Sequence, residues 1–207
     1  MYLAKLLLNP RSNQVRKDLA RPYELHRTLM KAFPDKIAPD ENRLLFRVET
    51  QQSPVSAPIV LAQSSSLEPD WNQLPKSYLL ETPELKTFNP VLSKSQNLGF
   101  RLSANPTKKS EGKRIPLIQE QEYFSWIERK GNLHGFTVMA CNAHTFRVGE
   151  GKDVVPSHER KTSLPLFGVR FDGFLQVDNP ELLNQALASG IGSGKAFGFG
   201  LLSLART

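Results

Sequence analysis

A chain of 207 residues with 39% hydrophobic and 23% charged residues has an ordinary globular balance, which excludes a disordered polymer and leaves room for one sizeable domain or two small ones. Its net charge of +7 favours a polyanionic partner over a neutral one, although a basic protein that is merely soluble carries the same charge. One cysteine, Cys141, excludes an internal disulfide and a multi-cysteine zinc site. The four histidines, His26, His134, His144 and His158, form no H-x-x-x-H or H-E-x-x-H pair, so neither a metal site nor a cofactor is expected. No apolar run approaches the ~20 residues that cross a bilayer. The opening Tyr2–Leu8 is too short for a signal-peptide core and carries Lys5 within it, so a soluble, cytoplasmic protein is expected.

In chain order, Tyr2–Leu8 has strand character and stops at Asn9-Pro10. The spacing then predicts a helix over about Leu19–Phe33, with Pro22 in its first turn and Pro34 after its end. Arg43–Glu49 and Ile59–Ala62 read as strands. From about Leu67 to Ser95 strand character is weakest, which places a linker near the end of that stretch. The pattern restarts with a strand at Leu98–Leu102, a helix over Gln119–Lys130 and a strand at Phe136–Met139. Leu166–Phe171 then turns at Asp172-Gly173 into Phe174–Val177, read as a hairpin. A short helix over Pro180–Ala188 and a glycine-rich terminal strand over Ala196–Leu204 close the chain. Both halves suggest β-α-β-β units, an α+β class compatible with two ferredoxin-like domains.

The predicted first helix carries the most chemistry. At about 100° per residue, Leu25, Leu29, Ala32 and Phe33 share one side, and Tyr23, His26, Arg27 and Lys31 share the other. A histidine titrating near neutrality, a phenol and two permanent cations make a kit for RNA cleavage by its own 2′-hydroxyl. A base takes the 2′ proton, an acid protonates the 5′ leaving oxygen, and cations stabilise the phosphorane. An ordinary solvated helix face would present the same residues, with Arg27 and Lys31 a mildly unfavourable pair.

Two further basic clusters lie in expected connections. Lys108, Lys109, Lys113 and Arg114 fall between a strand and a helix. Arg147, Lys152, Arg160 and Lys161 fall in a long connection that, as an extended hairpin, would reach along a duplex. The latter connection is equally a flexible, soluble loop. The tail Gly190-Ile191-Gly192-Ser193-Gly194-Lys195 fails as a phosphate-binding P-loop, because Ser189 occupies the required first glycine position and Ala196 follows the lysine. It also lacks the chain length for a dinucleotide fold. It leaves a glycine-rich loop in which Lys195 approaches a phosphate or the glycines allow tight packing.

Taken together, Met1-Tyr2-Leu3-Ala4-Lys5, Tyr23-Glu24-Leu25-His26-Arg27, Phe100–Pro106, Lys113–Leu117 and Gly190–Leu204 resemble, nearly end to end, the type I-E CRISPR-associated endoribonucleases of the CasE (Cse) family. The resemblance implies two tandem ferredoxin-like domains, here over 1–90 (carrying the catalytic helix) and 96–207 (carrying the basic hairpin and the glycine loop). It implies a metal-independent endoribonuclease that binds the stem-loop of CRISPR repeat RNA and cuts at the 3′ base of the stem. The products would be a 2′,3′-cyclic phosphate or 3′ phosphate and a 5′-hydroxyl. It also implies that the protein joins a multisubunit surveillance complex. His26 matches the family's catalytic histidine, and Tyr23 and Lys31 match positions that some members use. Arg27, Arg101, Lys108, Lys109, Lys113, Arg114, Arg147, Lys152, Arg160, Lys161 and Lys195 are then the expected RNA contacts. The alternative is a non-catalytic RNA-binding subunit of a ribonucleoprotein complex.

Overall fold

The computed structural model describes residues 1–35, 37–38, 41–49, 56–110, 112–148 and 166–207. By contacts the chain divides into two compact units, one built on Met1–Asn89 together with Ala196–Gly198. The other is built on Pro90–Arg147, Phe167–Lys195 and Phe199–Thr207.

The first unit runs β1 (Tyr2–Leu7), α1 (Asn13–Ala20), α2 (Pro22–Leu29), β2 (Leu44–Val48), β3 (Ile59–Ser64) and β4 (Glu84–Thr87). Its strands lie in the order β2-β3-β1-β4, with antiparallel pairing throughout. Ala4, Leu6, Leu8, Phe46, Val60 and Ala62 are buried, and Leu25 and Leu29 of α2 pack into the same core. That apolar stripe is what docks α2 and turns its other side outward.

The helix expected from Leu19 to Phe33 is in fact two helices and a 3-10 turn over Met30–Ala32. Ser12 caps α1 by accepting from the Val15 N–H, the Arg21 N–H returns to the Asp18 carbonyl, and Pro22 opens α2 afresh. The buried Asp18 carboxylate accepts from the Tyr78 hydroxyl at 2.7 Å, which ties α1 to the segment before β4. The weakly strand-like stretch also contains a strand, β4. Only Leu85 among its four residues is partly covered, so no apolar alternation announces it.

The second unit runs β5 (Asn97–Ala104), β6 (Thr107–Ser110), β7 (Lys113–Pro116), α3 (Glu120–His134), β8 (Phe136–Val148), β9 (Leu166–Val177), α4 (Pro180–Ser189) and β10 (Leu202–Arg206). Its main sheet has the order β10-β5-β9-β8. Counted within each unit, both sheets place the first strand between the third and fourth and the second at the edge, the ferredoxin-like arrangement. In the first unit the second helix of that plan is reduced to one 3-10 turn at Trp71–Gln73. Buried Leu98, Phe100, Leu102 and Ala104 alternate along β5, and Ile127 of α3 and Leu183 and Leu187 of α4 are buried in the same unit. Gln119 and Glu122 form a capping box at the start of α3, and Gly135 closes it in the left-handed conformation, φ 77°.

Three expectations are corrected here. Asp172-Gly173 is not a hairpin turn, because β9 runs straight through it, with Asp172 opposite Arg101 and Gly173 opposite Phe100. Gly173 serves close approach instead: a Cβ there would lie 2.0 Å from the Ala140 carbonyl oxygen. The basic cluster at Lys108–Arg114 is not a plain loop but a two-stranded ribbon, with Lys109 opposite Arg114. The terminal strand begins only at Leu202, after a 3-10 turn at Lys195–Phe197.

Candidate active site

On α2, His26 sits one turn after Tyr23, their ring centroids 6.4 Å apart. Behind the imidazole lies Phe46 of β2, stacked at 6.0 Å with planes 15° from parallel. Phe197 from the C-terminal 3-10 turn meets the Tyr23 ring at 5.9 Å. One residue later, Gly198 fits against Phe46, where a Cβ would stand 3.2 Å from the ring. The glycines of this part of the tail therefore serve tight packing. They bring the tail to the aromatic residue on which His26 rests.

The imidazole is partly buried, and its Nδ1 is enclosed with no hydrogen-bond partner among the described residues. Burial, and secondarily the positive charge of Arg43, hold His26 below its ordinary value of 6.5. The neutral imidazole therefore predominates at neutral pH, which suits it to accept a proton. Tyr23 offers a phenol one turn away, and Arg43 supplies positive charge to the same place without a metal. Among the described residues no three histidine, cysteine, aspartate or glutamate side chains are grouped to hold a metal ion.

The other expected residues distribute unevenly. Lys31 is exposed on the 3-10 turn that prolongs α2. Arg27 is exposed and pairs with Glu24 at 3.2 Å on its own helix. Arg101 pairs with Asp172 across the sheet, and Arg170 shares that carboxylate. Lys108 pairs with Glu122 at 3.0 Å, holding the ribbon against the start of α3, while Lys109 and Arg114 are exposed on the ribbon. Lys113 lies on β7 opposite Ser110. Arg147, near the end of β8, lies 5.7 Å from the Phe167 ring. Lys152, Arg160 and Lys161 lie outside the described residues. Lys195 donates to the Gly192 carbonyl at 2.8 Å and so braces its own loop.

Sequence reasoning missed Arg43, Phe46 and Phe197, because only the fold brings Arg43 and Phe46 to His26 and Phe197 to Tyr23. Arg43 reads simply as the charged start of a strand, and Phe46 as a core residue.

A family model described as CRISPR associated protein matches residues 1–206. The sequence is 40% identical to the CRISPR-associated endoribonuclease Cse3 of Thermus thermophilus over 99% of this chain and all of that one. It is 31% identical to the Cascade subunit CasE of Escherichia coli over 99% of each chain. Thermus thermophilus Cse3, solved with an RNA representing a pre-cleavage complex, superposes with a TM-score of 0.85 at 37% identity, covering 99% of this chain and 98% of that one.

Proposed function

The chain belongs to the CasE/Cse3 family of CRISPR-associated proteins, and on that premise we propose that it is an endoribonuclease acting on CRISPR repeat RNA. It binds the repeat stem-loop, cuts at the 3′ base of the stem and assembles with the other subunits of a type I-E surveillance complex in the cytoplasm. The observation that carries the catalytic reading is the placement of His26: partly buried, stacked on Phe46, held neutral, and carrying an enclosed nitrogen without a partner.

In this reading His26 takes the proton from the 2′-hydroxyl beside the scissile phosphate. The oxygen attacks phosphorus as the bond to the 5′ oxygen breaks, that oxygen takes up a proton from the protonated His26 or from water, and a 2′,3′-cyclic phosphate and a 5′-hydroxyl result; a water that then opens the ring gives the 3′ phosphate. Tyr23 orients the reacting ribose or the imidazole, and Lys31 and Arg43 offset the charge that develops on the phosphorane. The nucleophile belongs to the RNA, so the step proceeds without a metal ion.

The first domain, 1–90, carries this chemistry. The second, 96–207, holds RNA through Lys109, Lys113, Arg114 and the connection after Arg147, mostly by phosphates and A-form shape. Arg27, Arg101, Lys108 and Lys195 add positive potential while engaged in the contacts described above. A non-catalytic RNA-binding subunit would need the same basic surface but no proton acceptor. Incubation with end-labelled repeat hairpin separates the two: one discrete cut is expected, and tight binding with intact RNA would favour the subunit.

A further inference from the structure

The second unit contains a cavity of about 500 Å³ between α3, the β6–β7 ribbon and the glycine loop. Arg114, Arg129, Lys130, His134 and Lys195 all line it, and no carboxylate does so among the described residues. Lys130 is held at the cavity wall, its ammonium 5.7 Å from the Trp126 ring, and that ring is buried and stacked on Phe171 at 6.0 Å. The cations press on one another. Burial and then Arg129 and Arg114 lower Lys130, while burial and then Lys130 and Lys195 lower His134. Asn105, Thr107 and Ser193 add neutral hydrogen-bonding groups to the same wall.

We propose that this cavity is a nucleotide subsite that holds one unpaired nucleotide, its phosphate against Arg114, Arg129 and Lys130 and its sugar or base edge against Asn105 and Ser193. A cluster of cations without a carboxylate suits a phosphate, and the volume exceeds that of a phosphate alone. A base already paired within a duplex is not free to enter a cavity, so the occupant comes from single-stranded RNA beside the stem or from a free mononucleotide. The RNA source rests on the proposed function, and we assign the subsite to it.

The test compares two repeat hairpins with the same stem, one blunt and one with single-stranded flanks and 2′-deoxyribose at the cut, by anisotropy and by NMR titration of the His134 ring. The flanked hairpin raises the His134 pKa by placing a phosphate beside it, and the blunt one leaves it unmoved. Arg129→Gln lowers affinity for the flanked hairpin about tenfold, the scale of one charge-assisted contact, and spares the blunt one. Equal losses on both hairpins, or a His134 ring indifferent to the flanks, overturn the proposal. Adenosine monophosphate raising the His134 pKa while flanked RNA does not would reassign the cavity to a free nucleotide. Should the wild-type protein bind neither hairpin, the RNA reading itself fails, and the adenosine monophosphate titration still decides whether the cavity takes a nucleotide.

Discussion

His26 rests flat against Phe46, the two rings 6.0 Å apart and 15° from parallel, with Arg43 adding positive charge nearby. Both the covering of the imidazole and that charge disfavour its protonated form, so its pKa lies below 6.5. A base of lowered pKa stays deprotonated further into acid. The cleavage rate constant is therefore expected to hold through neutrality and to fall only on the acid side of 6.5. Replacing Arg43 by Gln removes one cause of the shift and should move that acid limb to higher pH. Single-turnover rates across a pH series read the limb directly. An unmoved limb would mean that some group other than His26 sets it.

Removing the imidazole separates cutting from holding. His26→Ala is expected to slow single-turnover cleavage by ~10² to 10⁴, the range for loss of a general acid–base group, with repeat affinity nearly intact. Binding should survive because the exposed cations of the β6–β7 ribbon lie on other elements. Parental cleavage by this variant would remove His26 from the mechanism.

How far the sequence carried the reading depended on whether the signal was local. The strand read at Leu98–Leu102, the proline opening α2 and the helix read over Gln119–Lys130 rest on local signals, and each corresponds to an observed element, although α3 runs on to His134. The opposite faces of α2 were equally legible, since buried Leu25 and Leu29 leave Tyr23 and His26 on the other side. Asp172-Gly173 misled because the same dipeptide that favours a tight turn also serves where a backbone crosses closely, and only the neighbouring strand decides between them. Arg43, Phe46 and Phe197 stayed hidden because the relation of the first two to His26 and of the third to Tyr23 exists only after β2 and the C-terminal turn have packed.

The close crossing at Gly173 makes a stability prediction. A methyl group there would meet the Ala140 carbonyl oxygen and the Cys141 backbone, which lie inside a sheet and cannot swing aside as a side chain can. Gly173→Ala should destabilise the protein by about 1–3 kcal/mol, as for overpacking of a rigid site. Chemical denaturation of the variant measures this, and a change within error would show that β8 gives way at Ala140 and Cys141.

The salt dependence of binding reports on the ribbon. Log affinity for repeat RNA should fall with log salt by roughly 0.7 to 0.9 per neutralised phosphate. Lys109 is exposed, whereas Lys108 is engaged with Glu122 at 3.0 Å. Replacing both by Ala should flatten the slope, with Lys109 contributing the larger part, and leave the cleavage position unchanged. An unchanged slope would move the phosphate contacts off the ribbon.

The chemistry itself makes the sharpest prediction. Around His26 the structure supplies a proton acceptor, a phenol and a cation, and among the described residues no grouped set of carboxylate, histidine or cysteine ligands. In a metal-assisted nuclease the ion generates hydroxide near neutral pH. Here the attacking oxygen must be one whose proton a neutral imidazole can take, and the 2′-hydroxyl immediately upstream of the cut is already in place. Cleavage should therefore persist in excess EDTA and stop when that single ribose is replaced by 2′-deoxyribose. The deoxy substrate should bind as before, because one hydroxyl contributes little beside many phosphate contacts. A strict magnesium requirement, or cutting of the deoxy substrate, would sink the 2′-hydroxyl mechanism even with His26 essential. It would then point to water as the nucleophile.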